Sequence, residues 1–243
     1  MNHLSELDRQ AFGLSTAKLQ AYRELNAHGE KEFFLHKEAL RNFLAFKELL
    51  AKQGFNLSLV SAYRGFERQL AIFSAKAKGK RPLLDSQGKR LCFDELSEQD
   101  LLEAILRWSA LPGLSRHHFG TDIDVYDANA MPLSEVELIP SEVEHGGPCA
   151  DMHKAIDKLI ESNQSFGFFR PYSEDCGGIS VERWHLSYAP IAKNYQALLS
   201  KSKAMSLWQE FELPLFDQVS ANIDEIFLRF VEIHPNNLPD WMS

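Results

Sequence analysis

The chain has little cysteine, and nothing in the sequence organises it. Cys92, Cys149 and Cys176 are odd in number and show no Cys-x-x-Cys spacing. That excludes both a disulfide framework and a thiolate zinc site, and leaves free, mostly buried thiols as the expectation. No apolar run approaches the length of a membrane-spanning helix. The stretch Met1–Asp8 lacks a basic region followed by an apolar one, so no signal peptide is read there and the expected compartment is the cytoplasm. Positive charge is in deficit: 26 Lys and Arg stand against 34 Asp and Glu, a net charge of -8. This speaks against a general nucleic-acid binder and leaves small cationic or zwitterionic partners open. Gly-x-Ser-x-Gly and His-Glu-x-x-His are both missing, which argues against an elbow-type serine hydrolase and a helical-motif zinc protease. A serine hydrolase using Ser115 with a nearby His would need another architecture. No internal repeat or low-complexity tract is present.

What the chain does have is chemistry concentrated in one stretch, Ser115-Arg116-His117-His118-Phe119-Gly120-Thr121-Asp122-Ile123-Asp124. From Asp122 onward the pattern alternates, with Ile123 and Val125 on one face and Asp122 and Asp124 on the other, the period of a half-buried strand. Two carboxylates on one strand face, just after a Gly turn and two His, have the ingredients of a metal site, because neutral imidazole and carboxylate are both good zinc ligands. The plain alternative is a surface loop whose His and Asp merely pair. A second cluster, Glu182-Arg183-Trp184-His185, follows about sixty residues later. Its preceding Gly177-Gly178 and following Leu186-Ser187-Tyr188 read as a loop entering a strand. An earlier segment, Ser61-Ala62-Tyr63-Arg64-Gly65-Phe66-Glu67-Arg68-Gln69, sits at the end of another alternating stretch.

Taken in order, these three motifs resemble the zinc D-alanyl-D-alanine carboxypeptidases and dipeptidases of the bacterial cell wall, the VanY-like M15 peptidases. The resemblance covers roughly residues 55 to 190. It implies that His117, Asp124 and His185 hold one Zn2+ ion and that Glu182 is the general base. It also places Arg64 near the substrate, either on a terminal carboxylate or on the oxyanion that develops during hydrolysis; an ordinary surface ion pair is the bland alternative. Ser115, Tyr63, Gln69 and Trp184 become candidate substrate contacts, Trp184 as a wall of the site or a packing anchor. His118 and Asp122 become candidate residues behind the ligands, Asp122 as a partner to a ligating imidazole. Many relatives carry a small residue at the Asp122 position, so the pocket's shape is left open there. The implied partner is a peptidoglycan peptide or its precursor. D,D-carboxypeptidase action is the leading expectation, with L,D-carboxypeptidase, wall-peptide endopeptidase and a non-catalytic zinc-containing binding module as alternatives.

The length of 243 residues suits one large domain or a domain with appendages. We divide it into an N-terminal helical segment, 1–54, a peptidase core, 55–200, and a C-terminal helical extension, 201–243. The expected fold class is α+β, a small mainly antiparallel sheet carrying the site with helices to one side, as the resemblance also implies. Apolar spacing predicts helices over 15–27 and 30–53, the second stopping at Gly54, then a strand over 55–60 and a helix to about 77. A turn is expected at 85–88. Ser97 caps a helix bearing Leu101, Ile105 and Trp108, with Trp108 assigned to the core. Residues 128–148 read as a long, charge-rich loop forming a cleft rim, and 149–163 as an amphipathic helix. Further helices are expected from Pro190 to about 202 and from 216 to 230. Tyr172 packs under the site or lines it.

Overall fold

A computed structural model describes residues 4–26, 29–86 and 88–242. Gln87 of the predicted turn, and the first three residues of the stretch read for a leader, lie outside these. The central element is a four-stranded antiparallel sheet in the order β3-β4-β6-β5. Its strands are β3 (Leu57–Ser61), β4 (Asp122–Asp127), β5 (Phe168–Phe169) and β6 (His185–Tyr188). The period-two alternation decides its two faces. Leu57, Leu59, Ile123, Val125, Leu186 and Tyr188 enter one buried core. Asp122, Asp124, His185 and Ser187 point to the other side, and the register sets Asp124 directly opposite His185 and, across a bulge, Ser61.

Two helices cover the apolar face: α2 (Lys37–Ala51), through Leu40, Phe43, Phe46 and Leu50, and α6 (Ala150–Glu161), through Met152, Ile156 and Leu159. A second core gathers α1 (Glu6–Ala11), α3 (Phe66–Ala77), α4 (Glu98–Leu106), α7 (Ala189–Gln196), α8 (Lys201–Glu210), α9 (Phe216–Ala221) and α10 (Ile223–Ile226) around Phe12, Phe66, Phe73 and Trp208. α+β is therefore the architecture. Among the described residues no helix is long and apolar enough to cross a membrane.

Four expectations are corrected. The predicted helix over 15–27 is instead strand β1 (Leu19–Asn26), and it pairs antiparallel with β2 (Gly29–His36). The predicted helix over 30–53 begins only at Lys37, where the His36 imidazole accepts the Glu38 N–H at 3.3 Å. Phe33 and Leu35 are both buried, one face of a strand, whereas a helix would place them far apart. The helix starting at Pro190 ends at Gln196, and α8 restarts after Ser200, whose hydroxyl accepts the Lys203 N–H. The last helix breaks at Asn222 into α9 and α10 and closes in a π-helical turn, Phe227–Val231. The 128–148 segment is irregular as expected apart from a 3-10 turn, Leu133–Glu135, and a short helix, Pro140–Val143, and is braced by Glu142, whose carboxylate accepts the Glu137 and Leu138 N–H groups at 2.8 and 3.0 Å.

Candidate active site

The site is assembled by a turn and two strands. Arg116–Phe119 form one 3-10 turn that ends at Gly120, with φ of 69°. A Cβ at Gly120 would lie 2.4 Å from Leu19 and 3.1 Å from the His36 nitrogen, so only glycine fits this left-handed corner. The corner turns His117 back over β4, where Asp124 and His185 sit side by side. The ligand atoms of His117, Asp124 and His185 all lie within 4.8 Å of one another, and all three residues are buried. His117 Nε2 is 3.3 Å from Asp124 Oδ2, and His185 Nδ1 is 3.3 Å from Asp124 Oδ1. Two ligands about 2.0–2.1 Å from one tetrahedral ion are separated by roughly 3.3–3.4 Å, so the donor set suits zinc in both chemistry and span.

The hydrogen bonds behind the imidazoles fix which nitrogen is free. His117 Nδ1 lies 2.9 Å from the Ala62 carbonyl, which can only accept, so Nδ1 carries the proton and Nε2 offers its lone pair. His185 Nε2 donates to Asp122 Oδ1 at 3.0 Å, which leaves Nδ1 to face Asp124. Asp122 is wholly buried and also accepts from Arg116 Nε at 2.8 Å, Thr121 Oγ1 at 2.7 Å and Ser187 Oγ at 3.1 Å. Burial opposes its charge, but Arg116 and His185 outweigh that and hold the carboxyl well below its usual range. Burial likewise disfavours a charged His185, yet Asp122 and Asp124 push the imidazole up to about 9.

Glu182 stands beside this group, its Oε2 3.6 Å from His185 Nδ1. Its backbone N–H is held by the Tyr172 carbonyl at 3.0 Å, and its own carbonyl accepts the His185 N–H at 3.0 Å, a turn that brings both side chains to one place although β6 begins only at His185. Burial, reinforced by Asp124 and countered by His185 and Arg64, raises the Glu182 carboxyl to about 7. These residues open onto a cleft of about 390 Å³, also lined by Arg64, Ser115, Trp108, Tyr172 and Trp184.

Of the residues singled out in the sequence, His117, Asp124, His185, Glu182, Arg64, Ser115 and Trp184 meet at the cleft. Trp184 stacks on Trp108 with ring centroids 6.5 Å apart, and Trp108, assigned to the core by its helical spacing, is a cleft wall. Tyr172 also lines it, its ring 5.0 Å from that of His185. Gln69, Tyr63 and His118 are not among its lining residues. Gln69 has no exposed surface; it accepts from Arg64 Nη1 at 3.0 Å and donates to the Ala110 carbonyl at 2.7 Å. The Tyr63 hydroxyl donates to the Gly13 carbonyl at 3.1 Å. His118 Nδ1 bonds the Arg64 carbonyl at 2.5 Å, and its Nε2 accepts the Gly113 N–H at 2.9 Å. These three hold the Arg64 segment from behind the cleft lining. Arg116 is the site residue that the sequence reading misses. Its signal is charge balance: a buried strand carboxylate at Asp122 needs a cation, and Arg116 lies in the same motif.

Residues 32–191 match the family described as VanY: D-alanyl-D-alanine carboxypeptidase. An uncharacterized protein of Haemophilus influenzae is 45% identical over 78 residues, which are 32% of this chain and 53% of that protein, so the match spans about half the relative's length. Among solved structures, the LdcB LD-carboxypeptidase is 21% identical with a TM-score of 0.47, over 84% of this chain and 78% of that one. VanYB in complex with D-alanine-D-alanine is 18% identical with a TM-score of 0.45, over 84% of this chain and 91% of that one.

Proposed function

The chain belongs to the VanY family of D-alanyl-D-alanine carboxypeptidases, and from that premise we propose that it is a zinc-dependent D,D-carboxypeptidase releasing terminal D-alanine from peptidoglycan peptides or their precursors. The observation that carries the metal reading is the pair of imidazoles whose outer nitrogens are tied to Ala62 and Asp122, so that their inner nitrogens face Asp124. His117, Asp124 and His185 would hold one ion and leave a fourth position for water, the pattern of a catalytic site. Zinc in that position supplies Lewis-acid polarisation of the scissile carbonyl and a water acidified toward neutrality.

The chain's own groups do the rest. Glu182, raised to about 7, is poised to take a proton from water and hand it to the departing amine. Arg64 is held by Gln69 at 3.0 Å and by Ser61 at 3.2 Å, which fixes its guanidinium at the cleft for a developing oxyanion or a substrate carboxylate. Trp184 and Trp108 form an apolar wall that limits water beside the reacting bond.

The test is mass spectrometry of precursor pentapeptide, tetrapeptide and free D-Ala-D-Ala incubated with the protein, with and without chelator, beside Glu182→Gln. Release of one terminal D-alanine from the pentapeptide, dependent on metal and on Glu182, is the expected result. Cleavage of the tetrapeptide alone would move the reading to L,D-carboxypeptidase, and an internal cut to endopeptidase. Zinc binding without any cleavage would leave a binding module.

A further inference from the structure

The cleft contains two cations that the proposed chemistry does not use. Lys76, in the last turn of α3, and Arg81, just beyond that helix, both line it beside Glu182 and Arg64. Arg64 is oriented by Gln69 and Ser61 and already has a role in the proposed reaction. Among the described residues, nothing accepts a hydrogen bond or forms an ion pair with Lys76 or Arg81. Lys76 is half-buried and Arg81 is exposed at the cleft mouth; buried or half-buried cations elsewhere have partners, as Arg107 has Asp175, Arg116 has Asp122, Lys47 has Glu24 and Arg170 has Asp157. In a chain with a net charge of -8, two unpaired cations turned into one cleft stand out.

Lys76 is only partly accessible, so its ammonium has given up part of its hydration without a partner in return. Burial lowers it to about 8 while Glu182 works the other way, so it stays largely protonated at neutral pH. Glu182 is the carboxylate that acts on Lys76; Asp124 and Glu137 also line the cleft, and the proposed reaction engages Glu182 and Asp124. Loading the site with a dication leaves the cleft still more in need of negative charge. A carboxylate on the ligand would supply that charge.

We propose that Lys76 and Arg81 form a subsite that binds a carboxylate of the substrate peptide. This rests on the peptidase reading above and deepens it: the preferred substrate is anionic in the cleft. The carboxylate has two possible sources, the terminal α-carboxylate of the leaving residue or an acidic side chain next to the scissile bond. The first would make the enzyme an exopeptidase by charge.

Two measurements test this. In the first, calorimetry on zinc-loaded Glu182→Gln measures binding of an acyl-D-Ala-D-Ala peptide as its free acid and as its C-terminal amide, and of a matched pair whose penultimate side chain is acidic or neutral. Each is repeated with Lys76→Met, which keeps the apolar stem, and with Arg81→Met. We expect one acid–neutral pair to differ about 10- to 100-fold in affinity, as for a lost charged hydrogen bond, and the two Met variants to erase most of that ratio. Which pair responds identifies the source. Ratios near one for both pairs, or ratios that survive both substitutions, overturn the subsite. In the second, wild-type turnover of the same peptides is followed; the ratio should reside in KM more than in kcat. Absence of wild-type turnover would overturn the proposed peptidase function, while the affinities measured for the Lys76 and Arg81 variants would still decide the subsite.

Discussion

His185 donates its Nε2 proton to Asp122 Oδ1 at 3.0 Å, and Asp122 is in turn gripped by Arg116 at 2.8 Å. The chain thereby orients one imidazole with a buried ion pair. Removing the negative member has two consequences. Asp122→Asn keeps an acceptor but loses the charge that makes His185 a strong donor to metal, so zinc affinity should fall about 10- to 100-fold in a competition titration with a chromophoric chelator. Arg116 then remains buried without its counter-charge, which costs about 3–5 kcal/mol of stability in denaturant unfolding. Unchanged zinc affinity in a folded Asp122→Asn protein would show that Asp122 serves only the fold.

Metal and proton should compete at His185. Without metal, Asp122 and Asp124 outweigh burial and raise this imidazole to about 9. At pH 7 it therefore carries a proton on the nitrogen that zinc needs. Zinc binding must expel that proton, and affinity should rise with pH up to about 9 and then level off. Calorimetry at pH 7 in two buffers of different ionisation enthalpy should report about one proton released per zinc bound. Equal heats in both buffers would contradict this.

In the proposed reaction, Glu182 sets a limit on the acid side of activity. Its carboxyl is raised to about 7, burial being the main cause, and a general base must be unprotonated. Activity should be lost as pH falls. A bound dication favours the carboxylate, so the acid limb of kcat/KM should have its midpoint at or below about pH 7. Glu182→Gln should lower kcat by about 10²- to 10⁴-fold and remove that limb while zinc binding persists. A limb that survives in Glu182→Gln would have to belong to another group.

The site strand was legible because its chemistry and its period coincide. Asp122, Ile123, Asp124 and Val125 alternate between charge and apolar side chains, and the alternation is what aims both carboxylates at one side of the sheet. The β1–β2 hairpin was not legible, because Phe33 and Leu35 run directly into the stripe of α2, and a period of two merged with one of 3.6. The break at Asn222 was hidden for a related reason. Apolar spacing continues through it, but the Asn222 side chain donates to the Gln218 carbonyl at 2.8 Å, a local choice that periodicity does not register. Lys76 and Trp108 look like ordinary helix residues; only the packing of α3 against α4 brings them to one cleft.

The C-terminal segment lies outside the family match, yet it holds the loop that delivers Glu182. Asn237 Oδ1 accepts the Glu174 N–H at 2.8 Å and the Ser173 hydroxyl at 2.7 Å. Arg229 Nε donates to the Gly177 carbonyl at 2.8 Å, and its other nitrogens grip Glu103 on α4. At Gly178 a Cβ would stand 1.7 Å from the Arg229 carbonyl oxygen, so the loop and the C-terminal turn meet backbone to backbone. The three proposed metal ligands sit on β4, β6 and the Gly120 turn, with only His185 following this loop in sequence, where its place is fixed by pairing with Asp124 across the sheet. Disturbing the clamp should therefore separate two properties that a general loss of folding would lower together. Gly178→Ala must push the loop away from Arg229, and Asn237→Ala leaves the Glu174 N–H without its acceptor at a cost of about 1 kcal/mol. Both should lower kcat, Gly178→Ala the more strongly, while zinc affinity stays within about twofold of wild type, the size of an ordinary surface change. Full turnover in a Gly178→Ala protein that binds zinc normally would show that the loop carrying Glu182 does not depend on the C-terminal turn.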